Sequence, residues 1–174
     1  MKSVLLLILT VGVFAVAADG KEKSTMSELK IASSAFTHDG SIPARFTCDG
    51  GDASPPLIVE NVPVSARTLA LIVDDPDAPA GTWVHWVVWN IPASTREIHE
   101  NSVPAASSQG KNDWGRNSYG GPCPPSGTHR YFFKLYALDT TLDLGAATTK
   151  RGLEKAMAGH ILARADLVGT YRRR

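Results

Sequence analysis

Two carboxylates on a proline-stiffened turn stand a few residues before a histidine in a very apolar run. Residues 75–79 read Asp-Pro-Asp-Ala-Pro, and residues 83–86 read Trp-Val-His-Trp. Proline fixes its own φ and restricts the residue before it, so Asp75 and Asp77 are held rather than mobile. A nearby carboxylate can orient the imidazole of His85 and adjust its pKa to hold a phosphate. The alternative is a purely structural role: the two aspartates would belong to an ordinary Asp-Pro turn, and His85 would be a hydrogen-bonded histidine of the core.

A second group of polar and rigid residues lies farther along the chain. Residues 120–125 read Gly-Gly-Pro-Cys-Pro-Pro, and His129 and Tyr131 follow at the period of two that places both on one face of a strand. Gly121 permits a close backbone approach, and Pro124 stiffens the same wall. If the two segments meet, their carboxylate, imidazoles and phenol form a compact set of partners for phosphate oxygens. The alternative is an ordinary amphipathic strand edge.

Other chemistries have weaker support in the sequence. Imidazole and carboxylate suit zinc, but the histidines lack the helical spacing of a metal-binding motif. No Gly-x-Ser-x-Gly elbow and no glycine-rich nucleotide loop occur, and the Asp-Gly-Gly-Asp turn at 49–52 is too short for a calcium loop. We therefore predict no catalytic residue, no metal and no cofactor. The alternative is an acid–base or metal-assisted hydrolase that uses Asp75, His85 and His129.

Short β-type runs between turn residues make up most of the chain. The run 69–73 is apolar on both faces, as in a central strand. In the next run, strict alternation predicts one face made of Trp83, His85, Val87, Trp89 and Ile91 and an opposite face made of Val84, Trp86 and Val88. In the strand 131–138, alternation places His129, Tyr131, Phe133 and Leu135 together.

One helix and a final strand are predicted near the C-terminus. Thr149 is the expected N-cap, Leu153, Ala156, Met157 and Ile161 share helical spacing, and Gly159 is expected to end the regular part. Residues 161–171 alternate as a strand. Residues 92–128 carry few strand signals, although Trp114 and Tyr119 favour an ordered segment. The predicted fold is mainly β, with sandwich-like turn spacing and a short helix.

The N-terminus has the features of a secretory signal. Lys2 precedes an apolar run from Val4 to Val16, and residues 15–17 read Ala-Val-Ala. The run is shorter than the roughly 20 residues of a membrane span, which is the alternative. We expect residues 1–17 to be cleaved after Ala17, residues 18–28 to be flexible and residues 29–174 to form one domain, periplasmic or secreted, with no later membrane span.

Composition and cysteine content narrow the function further. A net charge of +1 without a basic stripe argues against a nucleic-acid binder. Only two cysteines occur, Cys48 and Cys123, and an even pair in an exported protein suggests a disulfide. Two buried free thiols are the alternative.

Together these motifs resemble the phosphatidylethanolamine-binding protein family, also called the Raf-kinase-inhibitor-protein family, and within it the bacterial YbhB/YbcL-like branch. The likeness rests on residues 75–79, Trp83 with His85, residues 121–125 and residues 129–131, and it extends over nearly all of residues 29–172. Each motif alone is weak, but four in order at suitable spacing are specific. Where many eukaryotic members have two histidines after the tryptophan, this chain has Val84 and His85.

The resemblance implies a β-sandwich with a large antiparallel sheet and a smaller sheet. It also implies a pocket for phosphate, acetate or a phospholipid head group, lined by Asp75, Pro79, Trp83, His85, Pro124, His129 and Tyr131. Asp77 and Gly121 are added from their place in the motifs. A homodimer is a further expectation of the resemblance. The expected function is non-enzymatic binding that could modulate a protein partner, whose identity does not follow from the sequence.

Overall fold

The larger of two sheets contains the strands that were predicted to carry the site. The computed structural model describes residues 28–173. In spatial order this sheet contains β2 (Gly40–Ser41), β9 (Ile161–Tyr171), β8 (His129–Leu138), β4 (Thr68–Asp75), β5 (Trp83–Pro92) and β7 (Ser108–Gln109). Every neighbouring pair is antiparallel except β2 with β9, which is parallel. The expected large antiparallel sheet is therefore confirmed, apart from this short parallel edge.

The smaller sheet covers one face of the larger one. It consists of β1 (Lys30–Ala32), β3 (Leu57–Glu60) and β6 (Glu97–Ile98), all antiparallel. Leu57 and Val59 of this sheet belong to the same buried cluster as Phe133 and Leu135 of β8. Burial of each such side chain contributes about 1.5–3 kcal/mol, so the apolar faces hold the two sheets together. The predicted sandwich is confirmed.

The helix α1 (Lys150–Met157) covers the opposite face of the larger sheet. Its buried residues Leu153 and Met157 pack in a second cluster with Ile72, Val87 and Trp89. Because both faces are covered, all eight residues of β4 are buried. This explains why residues 69–73 of β4 are apolar without alternation.

Two register shifts between β4 and β5 contradict the predicted alternation of β5. Asp74 pairs with Val84 while Val73 pairs with Trp86, so His85 is an extra residue in the ladder, as in a β-bulge. A second shift lies between Leu69 and Leu71. The strand consequently places Val84, Val87 and Trp89 toward α1, and Trp86, Val88 and Ile91 toward the smaller sheet. The predicted faces of β5 were therefore wrong: Val87 and Trp89 do not share a face with His85 and Ile91, and Val84 does not share a face with Trp86 and Val88. The alternation in β8 is confirmed.

The predicted helix is confirmed, but its last predicted residue lies outside it. Thr149 is the N-cap, and the chain turns at Gly159, whose φ of +83° is a left-handed conformation that suits glycine. Ile161 begins β9 and is 45% exposed, so it does not extend the apolar face of α1.

The long connection after β5 is held in place by side chains and by a disulfide. Between Pro92 and His129 only β6 and β7, two residues each, are regular. Cys48 and Cys123 are bridged, with their Cα atoms 5.4 Å apart, which confirms the expected pairing. The Tyr119 hydroxyl is buried and donates to the Phe46 carbonyl over 3.0 Å. Across residues 28–173, no helix has the length and apolar character needed to cross a membrane.

Candidate functional site

A cavity of about 330 Å³ lies where β4 ends and where β5 and β8 begin. Six of the nine predicted site residues line it, and they come from both of the distant segments. The full lining is Asp75, Ala78, Pro79, Ala80, Trp83, His85, Trp114, Cys123, Pro124, Pro125 and His129. Antiparallel pairing of β4 with both β5 and β8 brings the two segments to the same end of the sheet.

His129 and Asp75 form a buried pair on adjacent strands. The Nδ1 atom of His129 lies 2.7 Å from Oδ2 of Asp75, and Oδ1 of Asp75 accepts the Asp77 backbone N–H over 2.8 Å. Both residues are less than one-tenth exposed. Since an ionised carboxylate only accepts, Nδ1 of His129 carries the hydrogen. The pair therefore fixes the tautomer and the orientation of this imidazole.

His85 is fixed by the backbone of the proline-rich loop rather than by a carboxylate. Its Nδ1 donates to the Gly120 carbonyl over 2.6 Å, and its own carbonyl accepts the Gly120 N–H over 3.1 Å. Burial lowers the pKa of His85, while the Gly120 carbonyl and the Asp75 charge act in the opposite direction. The imidazole is thus favoured in its neutral form, with Nε2 left for a guest.

Aromatic rings form one wall of the cavity. Trp114 meets Trp83 edge to face at 5.4 Å and meets His85 at 5.1 Å between ring centroids. The guanidinium of Arg116 lies 5.4 Å from the Trp114 ring. Trp114 is 40% exposed, so it sits at the rim. The sequence reading did not assign Trp114 to the site, although a large aromatic residue in a Gly/Asn-rich loop was a usable signal.

The structure does not bring Asp77 to the cavity wall. Its carboxylate binds the Arg130 guanidinium with two contacts of 2.7 and 2.9 Å and accepts the Arg130 backbone N–H over 2.9 Å. Arg130 lowers the pKa of Asp77 to about 2. Asp77 therefore joins the 75–79 turn to the start of β8 instead of facing a guest.

Gly121 and Tyr131, which were predicted to line the site, lie behind the cavity wall and are not part of its lining. The Gly121 N–H donates to Asp52 over 2.6 Å, and a Cβ there would lie 2.6 Å from the Phe46 carbonyl oxygen. The close approach that requires glycine is thus to the protein's own backbone. Tyr131 is 1% exposed and meets the His85 ring edge to face at 5.2 Å. Burial, followed by the charge of Asp75, raises the pKa of Tyr131.

The cavity can accept small guests in a rigid setting. The disulfide at Cys123 and the hydrogen bond from the Cys48 N–H to the Pro122 carbonyl, 3.1 Å, fix the proline wall. Two oriented imidazoles and one carboxylate can form hydrogen bonds or exchange protons with an oxyacid. Within residues 28–173, no group of three or more His, Cys, Asp and Glu side chains is arranged to hold a metal ion.

A family model and several known proteins match this chain over most of its length. A family model described as phosphatidylethanolamine-binding protein matches residues 32–172. A UPF0098 protein of Methanothermobacter thermautotrophicus is 51% identical over 150 residues, which are 83% of this chain and 99% of that protein. A UPF0098 protein of Pyrococcus horikoshii is 45% identical, over 100% of this chain and 91% of that protein.

Solved structures show the same fold. The crystal structure of a protein described as a homolog of phosphatidylethanolamine-binding protein, from Chlamydia trachomatis, has a TM-score of 0.82 and 40% identity, over 84% of this chain and 99% of that one. YbcL of E. coli, described as a member of the mammalian family, has a TM-score of 0.80 and 29% identity, over 85% of this chain and 100% of that one. The protein belongs to the phosphatidylethanolamine-binding protein family.

Proposed function

We propose that the protein is an exported, non-enzymatic binding protein whose cavity takes a small anion or a phosphorylated head group. The observation that carries this proposal is the meeting of His85 and His129, from two distant segments, on the wall of one cavity. Each imidazole is oriented by a hydrogen bond at Nδ1, so each presents its other nitrogen in a fixed direction.

The size and stiffness of the cavity favour a small guest. Its volume of about 330 Å³ lies at the lower end of the roughly 300–1,000 Å³ that is usual for ligand sites. Pro79, Pro124 and Pro125 restrict its wall, and the disulfide pins one side. A preformed site of this kind loses little conformational entropy on binding.

Calorimetric titration with inorganic phosphate and with phosphorylethanolamine tests the proposal. We expect His129→Ala to weaken binding at least about tenfold, because it removes one of the two imidazoles. His160 offers a matched control, since its Nδ1 also contacts a carboxylate, that of Asp139 at 2.8 Å, but outside the cavity. His160→Ala should bind as the wild type does. Equal heats for His129→Ala and wild type would refute the assigned cavity.

A hydrolase is the second candidate, and the His129–Asp75 pair is the observation that favours it. A histidine oriented by a buried carboxylate is an arrangement that supports general acid–base catalysis. A panel of phosphatase and esterase substrates separates the candidates. Turnover that persists in His160→Ala and disappears in His129→Ala would establish the enzyme and contradict the non-enzymatic proposal.

The proposed export rests on residues 1–17, which lie outside the described residues, and on the disulfide. Stable disulfides persist in oxidising compartments, so the Cys48–Cys123 bridge supports a periplasmic or secreted location. The intact mass of the protein purified from its native cell tests this: cleavage after Ala17 is expected, and an uncleaved chain would contradict it. The homodimer and the modulated protein partner stay predictions.

A further inference from the structure

We propose that the two imidazoles of the cavity hold an oxyanion only through a proton, so that the cavity prefers hydrogen phosphate, which keeps an O–H group, over sulfate of the same charge. The inference rests on the proposed function, because it concerns the guest of the same cavity. Its basis is the direction of the hydrogen bonds that hold the two imidazoles.

Both histidines donate their Nδ1 hydrogen to another group of the protein. His85 donates to the carbonyl of Gly120, and His129 donates to the carboxylate of Asp75. Neither partner can donate a hydrogen in return. A neutral imidazole has one hydrogen, so Nε2 of each ring then carries only a lone pair. Toward a guest, the two neutral imidazoles are therefore hydrogen-bond acceptors, which an unprotonated oxyanion cannot satisfy.

The charges around the cavity act in the same direction. Asp75 is the carboxylate of the lining, and within residues 28–173 the lining contains no lysine or arginine to offset it. Asp113 adds negative charge near His85, whereas the charge of Asp74 is paired with Lys134 and Lys150. Arg116 lies against the Trp114 ring and is not part of the lining. With both imidazoles neutral, the lining has a net charge of −1, which disfavours either dianion and favours binding that brings a proton into the cavity.

Other lining residues carry N–H groups, those of Ala78, Ala80, Cys123 and the Trp114 indole, which can bind a guest oxygen but cannot supply a hydrogen to an imidazole Nε2. The prolines at 79, 124 and 125 have no backbone N–H. The Trp83 indole N–H and the Tyr131 hydroxyl have no partner among the described residues, but both atoms are closed off from solvent and so from a guest. The hydrogen between a guest oxygen and an Nε2 atom must then come from the guest's own O–H group or from protonation of that imidazole. Each such bond adds one proton to the complex, and hydrogen phosphate can supply one of the two.

Hydrogen phosphate and sulfate form a matched pair of probes. At about pH 8 both anions are tetrahedral, similar in size and almost entirely doubly charged. Phosphate retains one hydrogen at this pH, and sulfate has none. An imidazole with an ordinary pKa is then mostly neutral. Calorimetry on the wild-type protein at about pH 8 should show phosphate binding at least about tenfold more tightly than sulfate. At about pH 5.5 the difference should shrink, because a protonated imidazole can donate to sulfate, so sulfate should bind more tightly than it does at about pH 8.

The outcomes separate this inference from the proposed function. Equal affinities for phosphate and sulfate at about pH 8 would overturn the proton requirement while leaving an anion site. A sulfate affinity that does not rise between about pH 8 and about pH 5.5 would also overturn it. Failure of both anions to bind at either pH would overturn the proposed function, and the inference with it. His160→Ala is the control, and it should keep the wild-type preference.

Discussion

Removal of the disulfide should lower the free energy of unfolding strongly but should change the affinity for phosphate only slightly. Cys48 and Cys123 are separated by 75 residues, and in the chain-entropy model closure of a loop of this length stabilises the folded state by about 4.5 kcal/mol. Both cysteines are exposed, so Cys48→Ser with Cys123→Ser removes the bond with little loss of packing. For a domain of this size the loss corresponds to a decrease in Tm of roughly 9–18 °C.

Binding should survive because other contacts hold the same loop. The Cys48 N–H donates to the Pro122 carbonyl and the Gly121 N–H donates to Asp52, both without the sulfur bridge. Thermal and urea unfolding of the double variant, and of the reduced wild type, measure the stability change. Phosphate titration of the same samples should show a change of less than about tenfold. A stability loss below about 1 kcal/mol would refute the loop-closure reasoning.

Three further predictions concern charged groups near the strands. Asp77→Ala should leave phosphate affinity unchanged in calorimetry. Because Arg130 lowers its pKa to about 2, its contribution to urea stability should be present at neutral pH and lost as the pH falls from about 4 toward 2; a pH-independent difference would contradict this. Asp74→Ala should lower the free energy of unfolding in urea by about 3 kcal/mol, because Asp74 is fully buried and its loss leaves two lysines without their partner. The expected loss is moderate because both lysines keep partial access to water, and no loss at all would show that they rehydrate freely. The pKa of His85 is lowered by burial from 6.5, so the stability difference between wild type and His85→Gln should shrink as the pH falls below about 6.5, and growth of that difference would refute a neutral His85.

Much of the fold could be predicted from the sequence because its signals are local. The run of apolar residues in β4 identifies a strand covered on both faces, and the alternation in β8 identifies its inner face. The helix was predicted from Thr149 and the spacing of Leu153 and Met157. The cysteine pair predicted a bridge because of its even number and the apparent export signal.

The remaining features depend on contacts that no local pattern records. The bulge at His85 arises from the pairing of β5 with β4, so strict alternation assigned Val87 and Trp89 to the wrong face. Asp77 has a partner, Arg130, that lies far along the chain. Trp114 reaches the cavity from a loop without regular structure, where spacing gives no direction.

The central claim is that His85 and His129 together hold one small oxyanion. A crystal structure of the protein grown with inorganic phosphate at about pH 5.5, where dihydrogen phosphate or protonated imidazole can supply both hydrogens, tests it most directly. The account predicts density for one phosphate in the cavity, with its oxygens within hydrogen-bonding distance of Nε2 of both histidines. An empty cavity at saturating phosphate, or phosphate bound elsewhere on the molecule, would contradict the claim.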